Sequence, residues 1–383
     1  MPIFLILDLD FILEIEYNIF INCKGDAKML QYMSARDAAE KWNISQRRVS
    51  VLCAENRIPN AAMLGNMWII PIDAEKPTDA RKNNGAKSNT NVHPFIKWAG
   101  GKNQLLEILK SNLPSGMGTT ITKYAEPFVG GGALLFALLN EYSFEKIYIN
   151  DNNKELMNAF YTIKNNCNSL ISMLKNLQNE YNCLNEELQQ EFYYEKRERF
   201  NDLELNDTSS IEKATLFIFL NKSCFNGLYR VNKKGKFNVP FGKHKSISIC
   251  DTENLTRISF LLQNVEIKAC DYQDVISFAD SSTLVYFDPP YRPLNATSGF
   301  TSYTEDQFSD QNQIELANCF KKLSKKGAKV MLSNSDPKNT NPEDNFFDDL
   351  YKNFNILRVE ASRMINSKGA SRGKIKELLI KNY

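Results

Sequence analysis

The stretch Thr283-Leu284-Val285-Tyr286-Phe287 runs without interruption into Asp288-Pro289-Pro290-Tyr291. Five mostly apolar residues in a row read as a strand. Two prolines then end the strand abruptly, because neither can donate a backbone hydrogen bond to a neighbouring strand. A carboxylate is left at the carboxyl end of the strand, where open α/β sheets place their ligands. From ordinary residue usage the tetrapeptide arises by chance at roughly one position in 10⁵ or fewer. The plainer reading is a rigid turn capped by a packed tyrosine.

The rest of the chain supplies the sheet that such a strand needs. From Phe95 onward, apolar strands alternate with amphipathic helices, the pattern of a doubly wound sheet. Tyr124-Ala125-Glu126-Pro127-Phe128-Val129, then Gly130-Gly131-Gly132 and the apolar run 133–139, reads as strand, glycine turn and helix. Such a turn lets a ligand approach the backbone and the free N–H groups of a helix start. Lys146 to Asp151 is a second strand, ending in a carboxylate about 20 residues past the glycines, where ribose hydroxyls are bound in this arrangement. A nicotinamide-binding Rossmann domain shares these features and lacks the Asp-Pro-Pro-Tyr turn. Between residues 152 and 251 the alternation gives way to a mainly helical stretch and a basic segment, read as an insertion domain.

Net charge is only +2, but its distribution is uneven. Residues 221–245 carry Lys222, Arg230, Lys233, Lys234, Lys236, Lys243 and Lys245 with no acidic residue, and 363–376 is similarly one-sided. Both are candidate phosphate-contacting surfaces. A length of 383 residues with 43% hydrophobic and 24% charged residues excludes disordered and fibrous classes. Eight cysteines without a C-x-x-C pair read as free thiols of a cytoplasmic protein, and two histidines leave little for a metal site, so no metal is expected. Residues 2–21 are apolar but carry Asp8, Asp10, Glu14 and Glu16, which fits neither a signal peptide nor a membrane span.

Ahead of the sheet, Ser34-Ala35-Arg36-Asp37 has the form of a capping box, with Ala38, Ala39 and Trp42 at helical spacing behind it. A second helix is expected from Gln46 to Glu55, carrying Arg47 and Arg48. A hairpin about Gly65-Asn66, flanked by residues 61–64 and 67–70, follows. This helix, turn, helix, hairpin order resembles excisionase and MerR-like winged helix-turn-helix modules, over Arg36 to Trp42, Arg47-Arg48 and Gly65 to Ile70. A small helical interaction domain with solvated arginines is the alternative. Residues 73–91 are polar and aperiodic, a linker. Residues 1–28 read as a non-native extension, with translation starting at Met29. They match neither the module nor a targeting signal, and Lys24-Gly25-Asp26 is encodable by a purine-rich string like a bacterial ribosome-binding site.

The chemistry of the turn is specific. An exocyclic adenine amine is a poor nucleophile because its lone pair is delocalised into the ring, and acceptors aimed at its two hydrogens favour the geometry that frees that pair. The Asp288 carboxylate and the Pro289 carbonyl are such acceptors, Pro290 offers no competing N–H, and Tyr291 is expected to stack on the base. Reaching such a pocket requires the base to leave the duplex.

Five ordered motifs then carry a resemblance: Phe95-Ile96-Lys97-Trp98-Ala99-Gly100-Gly101-Lys102, Glu126 to Gly132, Cys224-Phe225-Asn226-Gly227-Leu228-Tyr229-Arg230, Phe237-Asn238-Val239-Pro240-Phe241-Gly242 and Asp288 to Tyr291. From about His93 to the C-terminus, including Ser362-Arg363 and Ser371-Arg372-Gly373-Lys374, the chain resembles the Dam-type, GATC-type DNA adenine-N6 methyltransferases. The resemblance implies S-adenosylmethionine as cofactor, with Trp98 and Lys102 binding it, Asp151 at its ribose, Asp271 at its adenine and Asp288 at its methyl end. Glu126, Phe128 and Gly130 complete that site. It implies that Phe225 enters the space left by the flipped base and that Arg230 reads a guanine, a match for guanidinium geometry. Lys97, Asn226, Leu228 and Pro240 line the same surface, and the basic turn 232–236 contacts phosphates. Phe225 stands where the family often has tyrosine, and Gly131 where it often has another residue.

The expected whole is an α/β chain. A small winged helix-turn-helix (29–72) and a linker (73–92) precede a Rossmann-like S-adenosylmethionine-dependent methyltransferase sheet (93–151 and 252–383), with a mainly helical target-recognition insertion (152–251). Its expected partners are double-stranded DNA, no membrane, and a cognate restriction endonuclease, with the chain a monomer or weak dimer. A non-enzymatic DNA-binding regulator on an inactive methyltransferase fold is the alternative, against which the intact Asp288 and Tyr291 speak.

Overall fold

In the computed structural model the described residues are 17–23, 26–54, 58, 60–65, 67–77, 91–102, 105–206, 210–292, 308–362 and 374–383. Residues 1–16, Asn66 of the expected hairpin turn, most of the linker, Arg363 and Ser371-Arg372-Gly373 lie outside them. The chain divides into two compact units, residues 1–89 and 90–383.

The first unit carries β1 (Tyr17–Cys23), β2 (Asp26–Ser34), α1 (Ala35–Trp42), α2 (Gln46–Ala54), β3 (Ala62–Leu64) and β4 (Met67–Pro71). Its strands form an antiparallel sheet in the order β1-β2-β4-β3. β2 runs unbroken from Asp26 to Ser34, so the boundary expected at residue 28 falls inside a strand. Helix α1 starts where expected: the Ser34 hydroxyl accepts from Asp37 N–H, and the Asp37 carboxylate accepts from Ser34 N–H at 3.1 Å. Such a cap stabilises a helix by about 1 kcal/mol. Ala38, Trp42, Val49, Leu52 and Ile70 form the buried core between the two helices and the sheet.

The second unit contains α3 (Leu106–Ser111), β5 (Lys123–Glu126), α4 (Ala133–Leu139), β6 (Lys146–Asn150), α5 (Lys154–Asn182), α6 (Glu186–Asp202), α7 (Ser210–Ser223), α8 (Thr252–Leu261), β7 (Val265–Lys268), α9 (Val275–Phe278) and β8 (Thr283–Phe287). It continues with α10 (Asp310–Lys325), β9 (Lys329–Ser335), α11 (Phe346–Leu350), β10 (Asn355–Ser362) and β11 (Lys374–Lys381). Seven strands form one sheet in the order β10-β11-β9-β8-β5-β6-β7. β5, β6, β7, β8 and β9 pair in parallel, while β11 is antiparallel to both β9 and β10. This is a mixed α/β fold with a mostly parallel central sheet.

All five residues of β8 are buried, and they alternate between two apolar clusters: Leu284 and Tyr286 in one, Val285 and Phe287 in the other. The two clusters are the two faces of the sheet. Leu134, Leu135 and Leu138 of α4 cover the first, and Leu316, Phe320 and Leu323 of α10 the second. This is why β8 shows no polar alternation.

From β5 the chain steps outward through β6 and β7, then returns to β8 on the opposite side of β5. The crevice of an open sheet forms where the winding reverses, above the carboxyl ends of the two strands concerned. Glu126 ends β5, and Asp288 follows β8.

The helical stretch read as an insertion shares the first cluster with the sheet. In α5, Leu156, Phe160 and Ile163 pack there, and α7, buried at every residue from 213 to 221, joins it. A helix apolar on all sides belongs in the middle of a core. Helix α5 departs from helical geometry at Asn166 (φ −132°, ψ 31°). Among the described residues no helix is long and apolar enough to cross a membrane.

Candidate functional site

Two carboxylates and one ammonium occupy the crevice between β5 and β8. Lys102, buried, places its Nζ 2.7 Å from Oδ1 of Asp288 and donates to the Gly100 carbonyl at 3.0 Å. The same ammonium lies 4.6 Å from the ring centroid of Tyr291. Burial pushes the Asp288 carboxyl up to about 6; Lys102 pulls it down, and the Glu377 charge adds to the rise. Glu126 is 3% exposed, and burial lifts its carboxyl to about 8 although it accepts from the Tyr124 hydroxyl at 2.8 Å; the Asp288 charge raises it further. At neutral pH this pair therefore carries Asp288 ionised and Glu126 largely protonated.

The turn after β8 is held from outside itself. Tyr291 donates its hydroxyl to Glu377 Oε2 at 2.7 Å, and the Pro290 carbonyl accepts from Gln313 Nε2 at 3.2 Å. With Lys102 over its ring and its hydroxyl tied, Tyr291 is a wall of the site with at most one face open. That narrows the expected base stacking.

On the other side, Gly130 and Gly132 adopt φ of +49° and +73°, and a Cβ on Gly130 would stand 2.8 Å from Cδ1 of Trp98. The absence of side chains lets Trp98 pack directly on the turn at Gly130 and Gly131, and Phe136 at Gly132. The Asp151 carboxylate accepts from Gly130 N–H at 3.1 Å and Asn153 N–H at 3.0 Å, while burial pushes its pKa up. Asn150 fastens the neighbourhood: its amide donates to the Pro127 and Cys270 carbonyls at 3.2 and 3.0 Å and accepts from Cys270 N–H at 2.9 Å. It thereby sets the glycine turn against the loop bearing Asp271, an exposed residue that caps a short 3₁₀ turn through Gln273 N–H at 2.8 Å. Phe128 stacks on Tyr272 with ring centroids 5.2 Å apart.

The loop after α7 begins at the same wall. Trp98 stacks on Tyr229, centroids 5.5 Å apart. Asn221, buried near the end of α7, accepts from Lys97 N–H at 2.9 Å and donates to the Lys97 and Gly227 carbonyls at 2.8 and 3.0 Å. Phe225 and Leu228 are 52% and 40% exposed, although most large apolar side chains here are buried. Asn226 has φ of 57°, and Phe225 N–H donates to the Pro240 carbonyl at 2.9 Å. Arg230 donates to Asn238 Oδ1 and the Asn238 carbonyl, at 2.8 and 3.1 Å, so its guanidinium is held on an exposed edge. The loop 232–236 is a tight turn with Lys233, Lys234 and Lys236 exposed. Lys222 departs from the expected basic surface: it is partly buried, and burial, then the Lys97 charge, lowers its pKa.

Among the expected residues, Lys102 and Asp288 meet directly, Lys102 also lies over the Tyr291 ring, and Glu126 is close enough to feel the Asp288 charge. Gly130, Asp151 and Trp98 gather at the glycine turn. Phe225, Asn226, Leu228, Arg230 and Pro240 share one loop system with Lys97. Sequence reasoning assigned no role to Asn150, Asn221, Asn238, Gln313 or Glu377. Asn221 had a signal, an amide ending an otherwise apolar helix; Glu377 had none, since a single charge in a strand is ordinary.

Comparison with known proteins gives the family. Residues 98–365 match the D12 class N6 adenine-specific DNA methyltransferase pattern. A type II methyltransferase, M.MjaIII, from Methanocaldococcus jannaschii is 51% identical over 76% of this chain and 99% of its own. A second, M1.LlaDCHI from Lactococcus lactis subsp. cremoris, is 41% identical over 78% of this chain and 98% of its own. The DNA adenine methylase of Escherichia coli is 34% identical over 74% and 93%.

Proposed function

The chain belongs to the D12 class N6 adenine-specific DNA methyltransferase family, and from that premise we propose that it modifies adenine in GATC of duplex DNA, after the base has swung out of the helix. The reaction class comes with membership: the enzyme transfers a methyl group from S-adenosylmethionine to N6 of adenine in DNA. The cofactor supplies an electrophilic methyl group on a cationic sulfonium.

The observation that carries the reading of the site is Asp288, at the head of the Asp-Pro-Pro-Tyr turn, its carboxyl raised by burial and held down by Lys102 beside it. A buried acid with a raised pKa favours a cation beside it, and the side-chain-free turn at Gly130 lets Trp98 close against the backbone there. These residues fit S-adenosylmethionine: Trp98, Lys102, Glu126, Phe128 and Gly130 as walls, Asp151 toward the ribose, Asp271 toward the adenine. Asp288 and the Pro289 carbonyl accept from the two amine hydrogens of the target, and ionised Asp288 draws off positive charge as the new N–C bond forms.

For DNA reading, the support is the loop after α7. Exposed Phe225 fills the gap left by the flipped base, Arg230 addresses a guanine, and Lys97, Asn226, Leu228 and Pro240 border it. The exposed lysines of 232–236 meet phosphates. The first unit's α1, α2 and β3–β4 hairpin act as a winged helix-turn-helix, with Arg47 exposed on α2. The type II names of two relatives support pairing with a cognate restriction endonuclease, and the chain works as a monomer or weak dimer.

Methylation of plasmid DNA in vitro, followed by mapping of N6-methyladenine, tests the proposal. Modified adenines should fall in GATC, and Asp288→Ala should lower turnover by orders of magnitude. Methyl groups mapped mainly elsewhere would end the GATC reading; wild-type turnover in Asp288→Ala would end the assignment of the site. Deleting residues 1–91 should leave chemistry intact and flatten the salt dependence of DNA binding, whereas an unchanged salt slope would favour the protein-interaction role for this module.

A further inference from the structure

The turn 288–291 contains two prolines in succession, so it has no N–H at 289 or 290 with which to anchor itself. Its geometry must be imposed by groups that grip its carbonyls and its exit. Two buried amides do so. Gln313, 0% exposed in the first turns of α10, donates to the Pro290 carbonyl at 3.2 Å and accepts from Asn334 Nδ2 at 3.1 Å. Asn334, also 0% exposed on β9, accepts from Arg292 N–H at 3.3 Å, and Ser335 Oγ donates to the Arg292 carbonyl at 2.9 Å. Arg292 is fixed in turn by both oxygens of Asp310, at 2.7 and 3.0 Å, and by Asp344 at 2.7 Å. Helix α10 is itself registered by a capping box between Ser309 and Asn312.

We propose that Gln313 is a positioning residue for methyl transfer, setting through Pro290 the direction of the Pro289 carbonyl that receives the target amine. The inference rests on the reading of Asp288 and Pro289 as the amine's two acceptors. The proline ring locks φ of Pro290 near −65°. The peptide plane after Pro290 is held by Gln313, so little freedom is left to the plane before it, which carries the Pro289 carbonyl. Among the described residues no backbone N–H donates to that carbonyl, so nothing in the main chain competes with the target amine for it. A misdirected acceptor costs rate more than affinity, because near-attack geometry is what the reaction needs.

The test uses the full-length enzyme, a duplex bearing the mapped target, and S-adenosylmethionine, with single-turnover rates and binding constants measured together. Gln313→Leu keeps the volume and removes both bonds; its single-turnover rate should fall about 10- to 100-fold while cofactor and DNA affinities stay within about 3-fold. Gln313→Glu adds a readout that a merely structural role would not move. A neutral carboxyl can donate to the Pro290 carbonyl and accept from Asn334, and an ionised one cannot. Its rate relative to wild type should therefore be highest at the acid end of the measured range and fall as pH rises. A wild-type rate in a folded Gln313→Leu, or a Gln313→Glu profile parallel to wild type, would overturn the proposal. If Gln313→Leu does not fold, the Gln313→Glu profile decides alone. Asp288→Ala separates the two levels: an active Asp288→Ala enzyme defeats the reading of the site. An inactive one beside wild-type behaviour of both Gln313 variants defeats only the role of Gln313.

Discussion

The Lys102 ammonium sits 2.7 Å from Oδ1 of Asp288, an ion pair between a residue just ahead of α3 and the first residue beyond β8. It offsets the burial that pushes Asp288 up to about 6. Asp288 must be ionised to accept from the amine, so kcat/KM should fall as pH drops through about 6. In Lys102→Met the offset is gone, and the acid limb should move to higher pH whatever the variant's absolute rate. An unmoved limb in the pH profile would show that Lys102 does not govern this carboxylate.

Glu126 bears on stability. Its carboxyl lies at about 8 in the folded protein against an ordinary 4.5, because it is fully buried. The folded state thus holds a proton that the unfolded chain has lost between those values, and stability from this group declines as pH rises from 4.5 to about 8. Glu126→Gln removes the ionisation. Urea denaturation without cofactor should show the variant gaining on wild type by on the order of 3 kcal/mol between pH 5 and pH 9. Parallel pH dependence of the two proteins would contradict it.

Gly130→Ala should damage cofactor binding directly. The position has φ of +49°, costly for alanine, and the new Cβ would meet Trp98 Cδ1 at 2.8 Å. Trp98 must shift or the turn must open. S-adenosylhomocysteine titrated by calorimetry should bind about 5- to 30-fold more weakly, matching a cost of about 1–2 kcal/mol. Unchanged affinity would place the nucleoside elsewhere.

Asn238 should share in specificity without touching DNA. It grips the Arg230 guanidinium through its side-chain oxygen and carbonyl at 2.8 and 3.1 Å. Arg230→Ala should relax discrimination at one guanine by about 1–3 kcal/mol. Asn238→Ala, which keeps the carbonyl contact, should relax it at the same base pair by a smaller amount. Rates on single-base-substituted duplexes measure both, and an effect of Asn238→Ala at another base pair would break the link.

What could be read in the chain before folding was local. Strand β8 was legible because Thr283–Phe287 is a run of mostly apolar residues. The start of α1 was legible because Ser34 and Asp37 satisfy each other's backbone N–H groups three residues apart. The glycine turn and Asp288-Pro289-Pro290-Tyr291 declared their chemistry through residue types that few other roles require. The boundaries at 28 and 152 rest on composition and pattern shifts, which carry no record of long-range pairing. Strand β2 runs across the first, and α5 starts just past the second and builds the same core as the sheet.

The sequence by itself determined which chemical groups exist and which short turns present them: a carboxylate on a proline turn, a triple-glycine loop, a phenylalanine ahead of an arginine. Only the tertiary structure decided which of them meet. Lys102 pairs with Asp288, Tyr291 with Glu377 and Gln313 with Pro290 because β8 returns beside β5 and β11 inserts antiparallel between β9 and β10. Strand order of that kind comes from long-range pairing and from the burial of two sheet faces at once, which no local propensity encodes.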